Sequence, residues 1–110
     1  MDRRDMYRYS STFGSNDSKF NEFRPNDREQ PLDTVSQIIW NDYTNDVAFF
    51  TASWDGIVRY YTLASGHNNS VEVRHSWQFF FQHPVLCIDN TPSNLLFAGL
   101  ATGDIGVVKM

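Results

Sequence analysis

The order of hydrophobic and polar positions changes at Leu32. From there on, short apolar runs alternate with clusters of Asn, Asp, Ser, Thr and Gly. No segment keeps a helical period over more than about ten residues. Residues 35–40 read as a strand with polar Ser36 and Gln37 inside it, and residues 41–46 as a turn. Residues 47–53 and 57–62 read as the two arms of a hairpin. Asp55-Gly56 forms its turn, because Gly accepts the positive φ that tight hairpins require. Residues 64–70 read as a loop and 71–81 as a strand ending in Phe79-Phe80-Phe81. After His83-Pro84 the cycle resumes, with a strand over 85–88, a turn over 89–94 and a strand over 95–100. Gly103-Asp104 then leads into Val107-Val108. Short strands spaced by roughly 8–14 residues predict an all-β fold.

An internal repeat narrows that class. Val35 and Val85, each opening a short apolar strand, lie 50 positions apart, and Ile57 and Ile105 lie 48 apart. A period of this length marks stacked sheets such as the blades of a propeller, with the 64–70 loop lengthening the unit beyond the usual ~40–45 residues. The reading divides the chain into a first blade over 32–81 and a second over 82–110, cut short. That is about 1.75 blades of a ring that closes with ~4–8. Two blades leave apolar flanks and unpaired edges, so the expectation is a fragment or a segment completed by a partner.

Residues 1–31 carry six basic and six acidic residues, with aromatics that follow no period and prolines at 25 and 31. They are expected to form a disordered or tethering leader. The rest of the chain holds only Arg59, Arg74 and Lys109 against seven acids, which argues against a broad phosphate-binding face. Direct RNA contact would then fall to the leader, where Arg3, Arg4, Arg8, Lys19, Arg24 and Arg28 interleave with aromatics but are matched by acids. The charged N-terminus lacks the apolar run of a secretory signal, and no stretch approaches a ~20-residue apolar span. Cys87 is the single cysteine and lies in an apolar run, where a buried small hydrophobe is expected. It permits no internal disulfide and fits a reducing, intracellular compartment.

The residues around the hairpin carry a resemblance. Ser53, Asp55, Val58, Arg59 and the aromatic Tyr61 follow the order Ser-x-Asp-x-x-Val-(Lys/Arg)-x-Trp-Asp of a WD repeat. Asp33-Thr34-Val35-Ser36-Gln37-Ile38 resembles the start of a first WD blade. Gln82-His83 precedes Pro84-Val85-Leu86-Cys87, and Lys109-Met110 stands where these proteins often have Lys-Met-Trp. The chain is thus similar, over about residues 32–110, to the WD-repeat β-propeller family. Its nearest look is to the nuclear-pore branch that exports poly(A) RNA, which the Phe13-Gly14 dipeptide in the leader favours. The spindle-checkpoint branch shares the Ser-Trp-Asp turn and is the alternative. Tyr61-Thr62 in place of Trp-Asp, and His83-Pro84, depart from the pattern. Asp104 matches the turn Asp of the second repeat only after a one-residue slip.

The resemblance implies a non-catalytic scaffold at the nuclear pore and in the cytoplasm. Its partner would be a Phe-Gly nucleoporin motif, with RNA reached chiefly through proteins and with no cofactor, membrane or small-molecule substrate. It also implies structural roles for Ser53, Asp55, Arg59, Tyr61 and His83, with Ser53, Asp55 and Tyr61 joined in a hydrogen-bonded chain. Trp54, in a turn where burial is usually incomplete, is the candidate partner-binding residue, set against packing on a neighbouring blade. Arg59 is expected to be solvated or structural, with pairing to an acidic neighbour or a partner as the alternative, and the Trp77–Phe81 cluster to be core between blades, with an exposed partner patch as the alternative. A propeller-type enzyme using Asp55 and His83 is the alternative of another class, but no nucleophile motif surrounds them. His67, His75 and His83 at eight-residue spacing fit no common metal motif, and the glycines at 99, 103 and 106 lack the Lys-Ser/Thr of a phosphate loop.

Overall fold

The computed structural model describes residues 30–65 and 71–110, so the leader up to residue 29 and His67 lie outside the described residues. Seven strands make up the described chain: β1 (Val35–Trp40), β2 (Ala48–Ser53), β3 (Ile57–Ser65), β4 (Val71–Phe80), β5 (Val85–Asn90), β6 (Leu95–Leu100) and β7 (Ile105–Lys109). They form a four-stranded sheet, β1-β2-β3-β4, and a three-stranded sheet, β5-β6-β7. Every pairing is antiparallel between sequence neighbours, and no helix occurs among the described residues. β-Branched and aromatic residues make up half of β2 and more than half of β3, which suits a pleated surface buried on at least one side.

The strand limits correct several expected ones. β3 runs through Ala64 and Ser65, which had read as loop, because Ala64 and Ser65 pair with Glu72 and Val71. β5 continues through Asp89 and Asn90, which had read as turn, because they pair with Phe97 and Leu96. Val47 lies outside β2 and is exposed.

The two sheets meet through a core of Phe50, Ala52 and Val58 from the first and Val85, Ile88, Leu96 and Ala98 from the second. Ile39, Tyr60, Trp77, Phe81, Leu100 and Val108 pack against it. Three polar clips join β1 and its following turn to β5. The Ser36 hydroxyl donates to the Val85 carbonyl at 2.6 Å, and the Ile88 N–H donates to Gln37 Oε1 at 2.7 Å. The Asn90 side-chain amide donates to Asn41 Oδ1 at 3.3 Å. Ser36 and Gln37, polar inside an otherwise apolar strand, thereby find their hydrogen-bond partners across the interface.

Register shows how the sheets correspond. The β2–β3 turn has the Gly56 N–H bonded to the Ser53 carbonyl and Gly56 at φ 85°. The β6–β7 turn repeats this with Gly103, Leu100 and φ 90°. Ser53 therefore corresponds to Leu100, Asp55 to Thr102, Arg59 to Gly106 and Tyr61 to Val108. Both β1 and β5 carry a register shift at matching places, between Val35 and Gln37 and between Val85 and Cys87. With this correspondence, the face of the first sheet that carries Phe50, Ala52 and Val58 matches the outward face of the second, which carries Phe97, Gly99 and Ile105. Unlike faces meet at the interface, so the sheets stack in tandem, each facing the same way along the stack.

The same frame corrects three other expectations. Asp104 occupies the place of Ile57, and Thr102 stands where Asp55 does. Cys87 is exposed, because it lies across from Gly99 on the outward face. Its sulfur comes so near that a Cβ on Gly99 would sit 2.6 Å from it. The Trp77–Phe81 cluster is divided: Trp77 and Phe81 pack on the core, while Phe79 and Phe80 are exposed.

Candidate functional site

The β2–β3 turn gathers most of the residues singled out in the sequence. β2 ends on Ser53 and β3 brings Arg59 back beside it, directly across from Thr51. Asp55, between them, faces inward. Arg59 Nη2 donates to Asp55 Oδ2 at 2.9 Å, and Arg59 Nη1 donates to Ser53 Oγ at 3.1 Å. The Ser53 hydroxyl donates to Asp55 Oδ1 at 2.5 Å. It also lies 3.0 Å from the Ile57 carbonyl. With one proton to give, it serves the carboxylate, the stronger charged acceptor. The N–H groups of Ile57 and Leu32 complete the shell, each at 3.1 Å from an Asp55 oxygen.

This is a buried ion pair: the Arg59 and Asp55 side chains are 2 % and 10 % exposed. Burial works to raise the Asp55 carboxyl. The hydrogen bonds from Arg59, Ser53 and the two backbone N–H groups outweigh it and hold its pKa below the ordinary carboxylate range. Arg59 is therefore structural and enclosed, not solvated. Its Nε, together with Thr51 Oγ1 on the opposite strand, is enclosed with no hydrogen-bond partner.

Tyr61, two residues further along the same face, is buried; its ring stacks on Phe49 at 5.2 Å and meets His75 edge-on at 5.7 Å. Among the described side-chain bonds, it is Arg59 that joins Ser53 and Asp55 at the turn. His83 is exposed in the segment between β4 and β5, and its backbone is what it brings to the turn. A Cβ on Gly56 would lie 3.1 Å from the His83 carbonyl oxygen and 3.2 Å from its nitrogen. The Phe81 N–H donates to the Gly56 carbonyl at 2.7 Å, fixing the same approach.

Trp54 sits at the outer corner of the turn with 49 % of its surface exposed. Its backbone is held, since its N–H donates to the Thr34 carbonyl at 2.9 Å. The turn thus presents a large amphipathic ring on a rigid mount. Chemically, the arrangement is suited to contact. The carboxylate of the network is saturated by cation, hydroxyl and amide donors. Among the described residues, no group of three or more His, Cys, Asp or Glu side chains is placed to hold a metal ion.

Sequence reasoning placed Ser53 and Asp55 at the turn and allowed Arg59 an acidic neighbour, but did not name Asp55 as that neighbour. The signal was present: an Arg four residues after the turn Asp lies on the adjoining strand, within reach of that carboxylate. Sequence reasoning also missed the apolar cleft formed by Trp77 and Phe79 with Val108, Lys109 and Met110, which arises only when the sheets stack.

No model of a known protein family matches the chain, and neither a curated protein nor a solved structure matches it.

Proposed function

We propose that this chain serves as a non-catalytic, protein-binding platform built from WD-repeat propeller blades. The observation that carries the reading is the buried Ser53–Asp55–Arg59 network beneath an exposed Trp54. The ionisable groups at this turn are used up in fixing its shape, and the side chain left facing solvent is of the type that anchors interfaces. Tandem stacking of antiparallel sheets around similar glycine turns supports the blade reading. The sequence resemblance supplies the partner class, a Phe-Gly nucleoporin motif in RNA export.

The test is retention of the protein on immobilised peptides. The nucleoporin-motif peptide is expected to retain the wild-type chain, and Trp54→Ala is expected to lower affinity at least about tenfold, the range of an interface hot spot. Its melting temperature should be unchanged. Retention on the matching kinase-motif peptide alone would move the assignment to the spindle-checkpoint branch. No retention on either peptide would overturn it.

A further inference from the structure

The chain enters β1 by running along the β2–β3 turn. The Leu32 N–H donates to Asp55 Oδ2 at 3.1 Å, and the Trp54 N–H donates to the Thr34 carbonyl at 2.9 Å. Asp33 is held between these two bonds, so it shares one rigid surface with Trp54 although the two are far apart in the chain. The Thr34 N–H donates to Asp33 Oδ1 at 2.7 Å, which fixes that side chain. Asp33 is exposed, and its second carboxylate oxygen is uncommitted. The half-exposed Trp54 ring takes part in none of the aromatic contacts among the described residues. Stacking covers the faces of sheets and not their turn ends, so this surface does not depend on how many sheets the stack contains.

Among the described residues, no cation is free to neutralise it. Arg59 is enclosed and paired with Asp55, and Arg74 is bonded to Glu72 at 3.0 Å. Lys109 pairs with Leu95, at the end of β6 away from the turns. At the turn end of the stack, the β6–β7 turn adds the exposed carboxylate of Asp104. An open indole face beside an unneutralised carboxylate attracts a cation twice over, through the ring quadrupole and through charge. A guanidinium satisfies both at once, because its plane stacks on the ring while its fork of N–H groups reaches the carboxylate. An ammonium, a point charge, has no plane to stack.

We propose that this surface seats an arginine side chain of the partner segment, stacked on the Trp54 indole and bonded to the Asp33 carboxylate. The inference rests on the platform reading above and specifies its partner, a segment that carries arginine beside the apolar residue of its motif. Leu32, 78 % exposed next to Asp33, offers an apolar shelf for the methylene stem of that arginine. The charge of the body acts in the same direction. From residue 32 onward, seven acids stand against three cations, a balance that favours approach by a basic segment over an acidic one.

The probe is a capped peptide, Gly-Ser-Phe-Gly-Arg-Ser-Gly, titrated calorimetrically into the full chain, with two further peptides carrying lysine or the neutral isostere citrulline in place of arginine. The arginine peptide is expected to bind at least about fivefold more tightly than the citrulline peptide, with lysine between them. Asp33→Asn, which keeps the acceptor for the Thr34 N–H and removes only the charge, is expected to abolish most of that preference and leave citrulline binding unchanged. Trp54→Ala is expected to weaken all three peptides and to narrow the gap between arginine and lysine. Equal binding of the arginine and citrulline peptides overturns the proposal, as does a preference for arginine that Asp33→Asn does not move. Either result, found together with Trp54-dependent retention on the nucleoporin-motif peptide, overturns the arginine seat and leaves the platform reading standing. An arginine preference that needs Asp33 and Trp54, in a chain that the nucleoporin-motif peptide does not retain, upholds the seat and removes that partner class.

Discussion

The turn between β2 and β3 and the turn between β6 and β7 share a backbone and differ in everything hung on it. In the first, Ser53, Asp55 and Arg59 hold one another in a buried ionic network. In the second, the corresponding residues are Leu100, Thr102 and Gly106. Thr102 does no more than accept the Asp104 N–H and donate to its carboxylate, both in solvent. Where Arg59 lies over the first sheet, the Phe81 ring lies over Gly106, so close that a Cβ there would sit 2.3 Å from it. One position in the repeat is thus filled either by a charged side chain grown from its own sheet or by an aromatic ring reaching across from the neighbouring one. The lesson is that the glycine turn sets the path of the chain, whereas the network is an added device on one face.

The largest effect expected from breaking this contrast is at Asp55. Asp55→Ala leaves the Arg59 guanidinium buried without its counter-charge, and should cost about 3–5 kcal/mol in denaturant unfolding. Thr102→Ala, at the matching place, should change stability by less than about 0.5 kcal/mol.

Acid titration sharpens the same point. The Asp55 pKa is lowered in the folded chain, so its stabilising contribution is complete above the ordinary carboxylate value of about 4. That contribution is lost as pH falls from there through the lowered folded value. The melting temperature of wild type should therefore drop across that acid window, and Asp55→Asn should flatten the drop.

Next in size is Gly106→Val, which drives a branched side chain into the Phe81 ring and should cost about 1–3 kcal/mol, the usual penalty for overpacking. Phe81→Ala in the same chain should recover part of that steric loss.

The two turn glycines give a finer comparison. Gly56 and Gly103 share a positive φ, so alanine at either is strained by about 1–2 kcal/mol. At Gly56 the new methyl also meets the His83 backbone and the Phe80 ring, while at Gly103 it meets open space. Melting curves should rank Gly56→Ala below Gly103→Ala. Among the glycine substitutions the smallest effect is expected at Gly99→Ala, where Cys87 can turn its exposed sulfur aside. It should cost less than about 1 kcal/mol, and less still in the Cys87→Ala background.

Much of this architecture was legible in the chain. An apolar run marked β2, β-branched and aromatic residues marked β3, and Asp55-Gly56 marked their turn, because a residue that must adopt positive φ leaves a local signature. The second turn was legible as a turn but not in register. Asp104 suggested the Asp55 position, and only the hydrogen bonds at Gly103 show that Thr102 holds it. Arg59 was left between a solvated and a structural role because a charge is costly to bury, and the sequence does not display the acceptors that compensate it. Cys87 was misjudged because an apolar run was taken as buried throughout. The register shift after Val85 sends Cys87 to the outward face, and that shift depends on the partner strand. The cleft between β4 and β7 could not be read at all, since its walls lie about thirty residues apart and meet only through sheet stacking.

The tandem sense of the stack has a consequence for how such a molecule can change. At an interface where a surface meets its own copy, each substitution appears on both sides at once and must tolerate itself. Here a forward face meets a different, receiving face, so the two are free to drift apart in chemistry. A guanidinium can settle into one receiving face while its counterpart in the next shrinks to a hydrogen atom, and neither change has to be compatible with the other. Direction along the stack gives each junction its own vocabulary.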